Sequence, residues 1–375
     1  MQVSVEILLA MVASPLIFQN PRIAAAKRAA PELIGRCSWK GAEVPINGTG
    51  EAYTAGYDKA MSDYLREVGG TGGSLVVFYQ GKKVYAKGFG YANLDEKVPF
   101  TPQTPTRISS LSKYLTKRSI NLLIEQGKIE PSSTAIDILR RGGVVPLTPK
   151  GTKVDPRLES ITIQNLLDHK SGIEPGLDIS QCMSAEVIKM MGFQSPITQN
   201  DALGYVLGLP LNSDPGSTEL YSNFGFALLG KIVQIVSGQT YESFVKSRVL
   251  DTHVDPSPWF TTTAQRKDKH PDEAEYYSWG QHRTWDSFRW DICAGAGGWV
   301  APVDGVAEFF SNEFPGLGYD YTLFGSYTGA VTVMKVHLNS LTFAASINFR
   351  RGNDASDNDV LFSKLEKVTA GLKLP

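Results

Sequence analysis

The sequence predicts an α/β (α+β) fold: an antiparallel sheet flanked by helices, with a mostly helical domain inserted. Three observations carry this. A helix followed by a hairpin occupies residues 52–93, strand-like runs and a last helix occupy residues 328–372, and from Ile108 to about Ser247 the pattern is mostly helical. Strands at both ends and helices between them describe a discontinuous α/β domain around an insertion.

The elements follow in order. "AYTAGYDKAMSDYLREVG", Ala52 to Gly69, has helical composition and spacing and stops at Gly69-Gly70. "GSLVVFYQGKKVYAKGFGYAN" reads as two strands around a Gln80-Gly81 turn, because β-branched and aromatic runs flank it. "SINLLIEQGKI" is apolar at helical spacing and ends at Gly127, "TIQNLLDHKSGI" offers Thr162 as N-cap, and "SNFGFALLGKIVQIVSG" closes on Gly238. From Asp251 to Asp291 the chain is irregular and aromatic, with Trp259, Trp279, Trp285 and Trp290. That loop either walls a pocket or simply packs. "TGAVTVMKVHL" and "LTFAASINF" are strand-like, and a helix of about Asp357 to Leu372 follows with Ser356 as cap. The expected organisation is an N-terminal extension over 1–50, an α/β domain over 51–107 and 286–375, and a helical domain over 108–285.

Bulk properties exclude several functions. With 375 residues, 42% of them hydrophobic, the chain can bury a sizeable core. The net charge is −1 and no Lys/Arg block occurs, so a nucleic-acid partner is not expected. Three cysteines are too few for a disulfide framework. Without CxxC or HExxH, and with five scattered histidines, neither a metal nor another cofactor is expected. "ILLAMVASPLIF", Ile7 to Phe18, is too short to span a bilayer but suits a signal-peptide core. The preceding "MQVSVE" lacks Lys and Arg and carries Glu6, so a secreted or periplasmic location and a cytoplasmic one both stay open. No other segment reads as a membrane span. Oligomeric state is not legible.

Serine acyl transfer needs a hydroxyl, a base for its proton, and donors for the oxyanion. The G-x-S-x-G elbow is absent. Ser110 and Lys113 instead form S-x-x-K, and positions i and i+3 share a helix face. A desolvated lysine there can be neutral and act as base. Ser243 and Lys246 repeat the spacing in what looks like an ordinary helix end, so the motif alone is weak. Downstream, Tyr221-Ser222-Asn223 precedes an apolar helix. A phenol can relay protons, and an amide two residues on can hold a lysine or a substrate carbonyl. Tyr91 to Asn93 repeats Y-x-N inside the hairpin, where packing explains it; a helix-capping loop equally explains Tyr221. Cys293 reads as a small buried residue.

"RISSLSK", "ITIQNLLDHKSGI", "PGSTELYSNFGFALLGKIV" and "GAGGWVAPVDGVAEF" occur in that order. Together they resemble the serine β-lactamase and penicillin-binding-protein superfamily, of which S-x-x-K is a signature. The class C-like branch of β-lactamase-related hydrolases and esterases is the nearest in pattern, over about Tyr53 to Arg350. The resemblance implies a β-lactamase/transpeptidase-like fold and Ser110 as the acylated nucleophile. It implies Lys113 as neighbouring base, Tyr221 in proton transfer to the leaving group and from the deacylating water, and Asn223 orienting Lys113 or substrate. His169 matches a position usually structural in the superfamily.

The third superfamily motif is Lys-Thr-Gly or His-Thr-Gly on a strand beside the serine. Its best match here is Tyr327-Thr328-Gly329. Tyrosine in place of the cation provides one hydrogen bond but no positive potential. Carboxylate-bearing substrates should then bind less well, unless Arg350 or Arg351 restores the contact. By analogy Gly329 lets substrate approach the strand, and the N–H groups of Ala330 and Ser110 form the oxyanion hole. The expected function is a serine hydrolase, an esterase above all, acting on a small ester or amide. β-Lactam or D-amino-acid peptide hydrolysis, acyl transfer to a small acceptor, and a non-catalytic scaffold stand as alternatives.

Overall fold

The computed structural model describes residues 39, 42–149, 152–173, 185–194, 197–262, 269–278, 291–316, 318–352 and 356–375. Its strands are β1 (Ile46–Gly50), β2 (Gly72–Tyr79), β3 (Lys82–Asn93), β4 (Val98–Pro99), β5 (Pro105–Arg107), β6 (Phe260–Thr261), β7 (Tyr277–Ser278), β8 (Trp299–Pro302), β9 (Tyr321–Tyr327), β10 (Ala330–Val336), β11 (Leu341–Ile347) and β12 (Phe349–Arg350). Its α-helices are α1 (Gly56–Val68), α2 (Ser112–Glu125), α3 (Ala135–Arg141), α4 (Ile163–Leu167), α5 (Ala185–Met191), α6 (Gln199–Leu207), α7 (Asn223–Ser237), α8 (Tyr241–Val245), α9 (Ala294–Gly297), α10 (Val303–Glu313) and α11 (Ser356–Ala370).

Gln80 and Gly81 both take left-handed φ, +50° and +74°. Two such residues make the primed turn whose twist matches an antiparallel pair, and they join β2 to β3. β2 then pairs with β11, so strands from both ends of the chain meet in one antiparallel sheet of order β1-β3-β2-β11-β10-β9. Alternate residues leave a strand on opposite faces. Leu75 and Val77 pack under α1 and α11 with Tyr57, Met61, Leu65, Leu361 and Leu365. Val76 and Phe78 face the larger core, built with Leu115 of α2, Leu166 of α4, Leu229 of α7 and Phe309 of α10. Both faces are covered, and the helices of residues 112–250 share the core on the second one.

Local signals end several helices where the sequence places them. Gly69 and Gly238 take φ of +71° and +72° just past α1 and α7. Thr162 and Asn165 form a reciprocal capping box at α4. Other features differ from expectation. The sheet begins before residue 51: "INGTG" forms β1, because a Cβ on Gly48 would lie 2.2 Å from the Ala86 oxygen of β3. Strand β9 was not among the expected strands, and the final helix starts on Ser356 itself. Trp259 is buried against Trp299 and Phe309 (ring centroids 6.5 and 6.2 Å), so it is core, whereas Trp279, Trp285 and Trp290 lie outside the described residues, as does the apolar run Ile7 to Phe18. Among the described residues no helix is long and apolar enough to cross a membrane.

Candidate active site

Ser110 sits on a 3₁₀ turn, Ser109–Leu111, that runs directly into α2. The turn is fixed from two sides. Just before it, β5 pairs with β8, and the Ile108 N–H donates to the Trp299 oxygen at 3.0 Å. On the other side lies β9, whose Gly325 has no room for a side chain: a Cβ there would be 2.3 Å from the Ile108 oxygen. Ser109, between these anchors, holds φ at +49° and is buried, with no hydrogen-bond partner for its Oγ among the described residues. A non-glycine residue in that region stores about 1–3 kcal/mol, which its surroundings must sustain.

Lys113 lies one turn along, 7% exposed. Its Nζ donates to three neutral acceptors: Ser110 Oγ at 3.2 Å, Asn223 Oδ1 at 2.8 Å and the Ala296 carbonyl at 2.6 Å. Burial pushes its pKa below the ordinary lysine range, and Tyr221 opposes that only in part. The arrangement has a direct consequence. When Lys113 is neutral, two N–H bonds satisfy Asn223 and Ala296, and the lone pair is left facing Ser110 Oγ.

Tyr221 and Asn223 arrive together because Ser222 caps α7. Ser222 is extended (φ −127°, ψ 116°) and its Oγ accepts from the Gly225 N–H at 3.1 Å. The extended residue sends its neighbours to one side. Tyr221 OH and Ser110 Oγ are 2.8 Å apart, and Lys113 Nζ lies 4.8 Å from the centroid of the Tyr221 ring. The phenol is 48% exposed, so the pair is open to an incoming molecule on the described surface. Ala296 comes from α9, in the "AGAGG" run. A Cβ on Gly295 would lie 2.5 Å from the Phe226 oxygen of α7 and 3.1 Å from the Gly230 Cα. Thr116 of α2 donates to the Gly295 oxygen at 2.6 Å. Three helices therefore meet on backbone at the point that presents the carbonyl to Lys113.

The structure thus brings Ser110, Lys113, Tyr221 and Asn223 into one hydrogen-bonded group, and it moves the third motif. Tyr327 ends β9, Ala330 begins β10, and the two are cross-strand partners. Thr328 and Gly329 are the turn between them, with Gly329 at φ +77°. Gly329 is therefore a turn glycine, and Ala330 belongs to the second strand from the edge. The residue of β9 pressed against the Ser109–Leu111 turn is Gly325. Arg351 is ion-paired to the buried Asp357, whose Oδ2 also accepts the Arg351 N–H at 2.8 Å. Arg350 is buried on β12 beside β7. Cys293 is fully buried at the head of α9, as expected of a small core residue.

A family model described as Beta-lactamase matches residues 57–334. The chain belongs to the β-lactamase family. Members of that superfamily are serine hydrolases, among them esterases, amidases and β-lactamases. Protein flp of Staphylococcus aureus (strain N315) is 27% identical over 193 residues, 52% of this chain and 35% of that one. The match spans only about a third of that curated relative's length. Among solved structures, a D-amino acid amidase from Ochrobactrum anthropi SV3 superposes with a TM-score of 0.65 at 17% identity, covering 86% of this chain and 99% of that one. EstCE1, described as a hydrolase with promiscuous acyltransferase activity, gives 0.60 at 16% identity over 84% and 98%. At such identities the likeness is one of fold.

Proposed function

We propose that this protein is an esterase-type serine hydrolase of the β-lactamase family, working through an acyl-enzyme on Ser110. The observation that carries the reading is the set of three neutral acceptors around the buried Lys113 Nζ. With Asn223 and Ala296 taking both protons of a neutral amine, the Lys113 lone pair is left for the hydroxyls of Ser110 and Tyr221, and Ser110 Oγ, 3.2 Å away, is the one that attacks. Ser110 Oγ attacks the ester carbonyl carbon and its proton passes to Lys113. As the carbonyl–alkoxide bond breaks, the Tyr221 hydroxyl protonates the leaving oxygen. A water then gives a proton to the Tyr221 phenolate and attacks the acyl carbon, and Ser110 Oγ leaves, recovering its proton from Lys113. The ester becomes acid and alcohol, and both side chains return to their starting states.

The substrate class follows from what lines the serine's side of the sheet. β9 reads "YTLFGSY" and contains no Lys, Arg or His. A substrate carboxylate gains no cation from that strand, so neutral esters are favoured over β-lactams and D-amino-acid peptides. The known amidase and acyltransferase neighbours keep amide hydrolysis and acyl transfer as the competing reactions. The Ser110 N–H, at the head of α2, supports one half of an oxyanion site.

The test uses p-nitrophenyl butyrate and a fluorophosphonate probe read by intact mass. Wild type should hydrolyse the ester and take one adduct on Ser110, while Ser110→Ala should lose both and keep its thermal unfolding transition. Full turnover by Ser110→Ala would remove Ser110 as the nucleophile, and a wild type that takes no adduct would favour a scaffold that kept the fold.

A further inference from the structure

His169 stands outside the group that exchanges protons, yet the segment carrying Tyr221 is fastened to it three times. The Leu220 N–H donates to the His169 carbonyl at 2.7 Å. The Ser222 N–H donates to His169 Nδ1 at 3.1 Å. Between those two bonds, the imidazole stacks on the Tyr221 ring itself, with centroids 4.6 Å apart and planes 29° off parallel. One residue thus grips the positions before and after the phenol and lies against its face.

The grip depends on an unusual backbone. His169 takes φ +56°, in the left-handed region that is uncommon for a non-glycine residue, although histidine enters it more often than most. Its other ring contact, with Phe226 of α7 at 4.9 Å, pins the imidazole to the helix that Asn223 begins. With Nδ1 accepting from Ser222, the neutral ring must carry its proton on Nε2. Burial and the nearby Lys113 lower its pKa to about 4, so the stacked ring adds no positive charge beside Lys113 across the neutral range.

We propose that His169 is the positioning residue of Tyr221, holding the phenol oxygen at the distance from Ser110 that proton transfer needs. The inference rests on the Ser110–Lys113–Tyr221 reading given above. Two features separate it from a plain helix-end role. A helix end needs only the carbonyl bond, whereas the ring nitrogen and the stack act on Tyr221 and its peptide alone. His169 also holds positive φ, as Ser109 does beside Ser110, and such positions are where functional constraints are commonly stored.

The experiment compares His169→Asn and His169→Gly with wild type. Asparagine and glycine both tolerate positive φ, so both variants keep the backbone bond to Leu220. Asparagine also keeps an acceptor for Ser222 but loses the stack, and glycine loses both. Active sites are titrated with the fluorophosphonate, and kcat and KM for p-nitrophenyl butyrate are expressed per labelled site. The expected order of kcat is wild type, Asn, Gly, with glycine about 10²-fold down and KM changed far less, as displacement of a reacting group by about 1 Å produces. Equal kcat per labelled site in all three proteins would overturn the proposal. So would a loss confined to the number of labelled sites, the signature of a residue that only helps the fold. A wild type that takes no label and turns nothing over would instead sink the serine-hydrolase reading itself, so the two failures are distinguishable.

Discussion

The chain contains S-x-x-K twice, and the two copies differ in everything except spacing. Ser110 and Lys113 lie where a 3₁₀ turn enters α2; Ser243 and Lys246 lie along α8 and the turn after it. Lys246 pairs with the Glu242 carboxylate at 2.9 Å, while the other oxygen of Glu242 accepts from Thr261. Ser243 receives the Thr240 hydroxyl at 2.9 Å and donates its N–H back to it, an N-cap arrangement. That copy is helix chemistry: a cap and an i, i+4 ion pair. Among the described residues, the first copy has no carboxylate on its lysine. Neutral acceptors surround Lys113 and burial removes its hydration. A lysine beside a carboxylate keeps its proton, and a lysine buried among neutral acceptors gives it up more readily. On the proposed reading, partner charge and burial are what make Lys113 the base.

The largest expected effect tests that contrast directly. Lys113→Met should lower kcat/KM for p-nitrophenyl butyrate by about 10²–10⁴-fold, the range of a lost general base. Lys246→Met should leave kcat/KM within error and lower stability by about 0.3–0.5 kcal/mol, the worth of one i, i+4 pair, read from urea unfolding. If the two substitutions damaged turnover alike, the contrast would be empty.

The pH dependence sharpens it. Because the folded pKa of Lys113 is depressed, turnover should rise with pH as the amine becomes neutral. The same shift acts on stability. Between the depressed value and the ordinary lysine value of about 10.4, the unfolded chain holds a proton that the folded chain has shed. Stability should therefore climb with pH across that window and flatten in Lys113→Met. Urea midpoints measured from pH 6 to 10 for both proteins read this out, and parallel curves would contradict the burial argument.

An effect on stability alone concerns the backbone. Ser109 holds left-handed φ next to the nucleophile, whereas Thr240, which caps the second copy, is relaxed at φ −63°. Ser109→Gly removes both the strain and a buried hydroxyl without a partner, so it should raise stability by about 1 kcal/mol. An unchanged or lowered melting temperature would show that the turn is not strained.

Much of the fold was legible. The Gln80-Gly81 turn, the Gly69 and Gly238 stops and the Thr162 cap are local signals, and local signals survive folding. Ser110, Lys113, Tyr221 and Asn223 were legible as residues, because their order and spacing are written along the chain. What escaped depends on contacts between distant backbones. "INGTG" looks like a loop and is a strand because β3 offers it a partner at close range. "YTLFGSY" has a glycine and a serine where a strand signal wants branched residues, and its Gly325 is explained only by the Ile108 carbonyl above it. With β9 unseen, the nearest motif-like tripeptide, Tyr327-Thr328-Gly329, was matched to a strand, although its glycine belongs to a turn. The Ala296 carbonyl was invisible for a related reason: a main-chain acceptor leaves no mark in a sequence beyond the small residues that let it arrive.

Those small residues carry a consequence for how such a protein can diverge. The floor under Lys113 is made where Gly295 meets Gly230 and the Phe226 carbonyl without an intervening side chain. One added methyl there would push α9 away and take the Ala296 oxygen with it. β9, by contrast, presses Gly325 against the Ser109–Leu111 turn, while the neighbouring Phe324 is exposed and rests on Phe362 of α11, so change is tolerated better there. Mutation can therefore rewrite which molecules are accepted far more cheaply than it can touch the proton chemistry, and a lineage built on this scaffold is free to explore substrates while its reaction stays put.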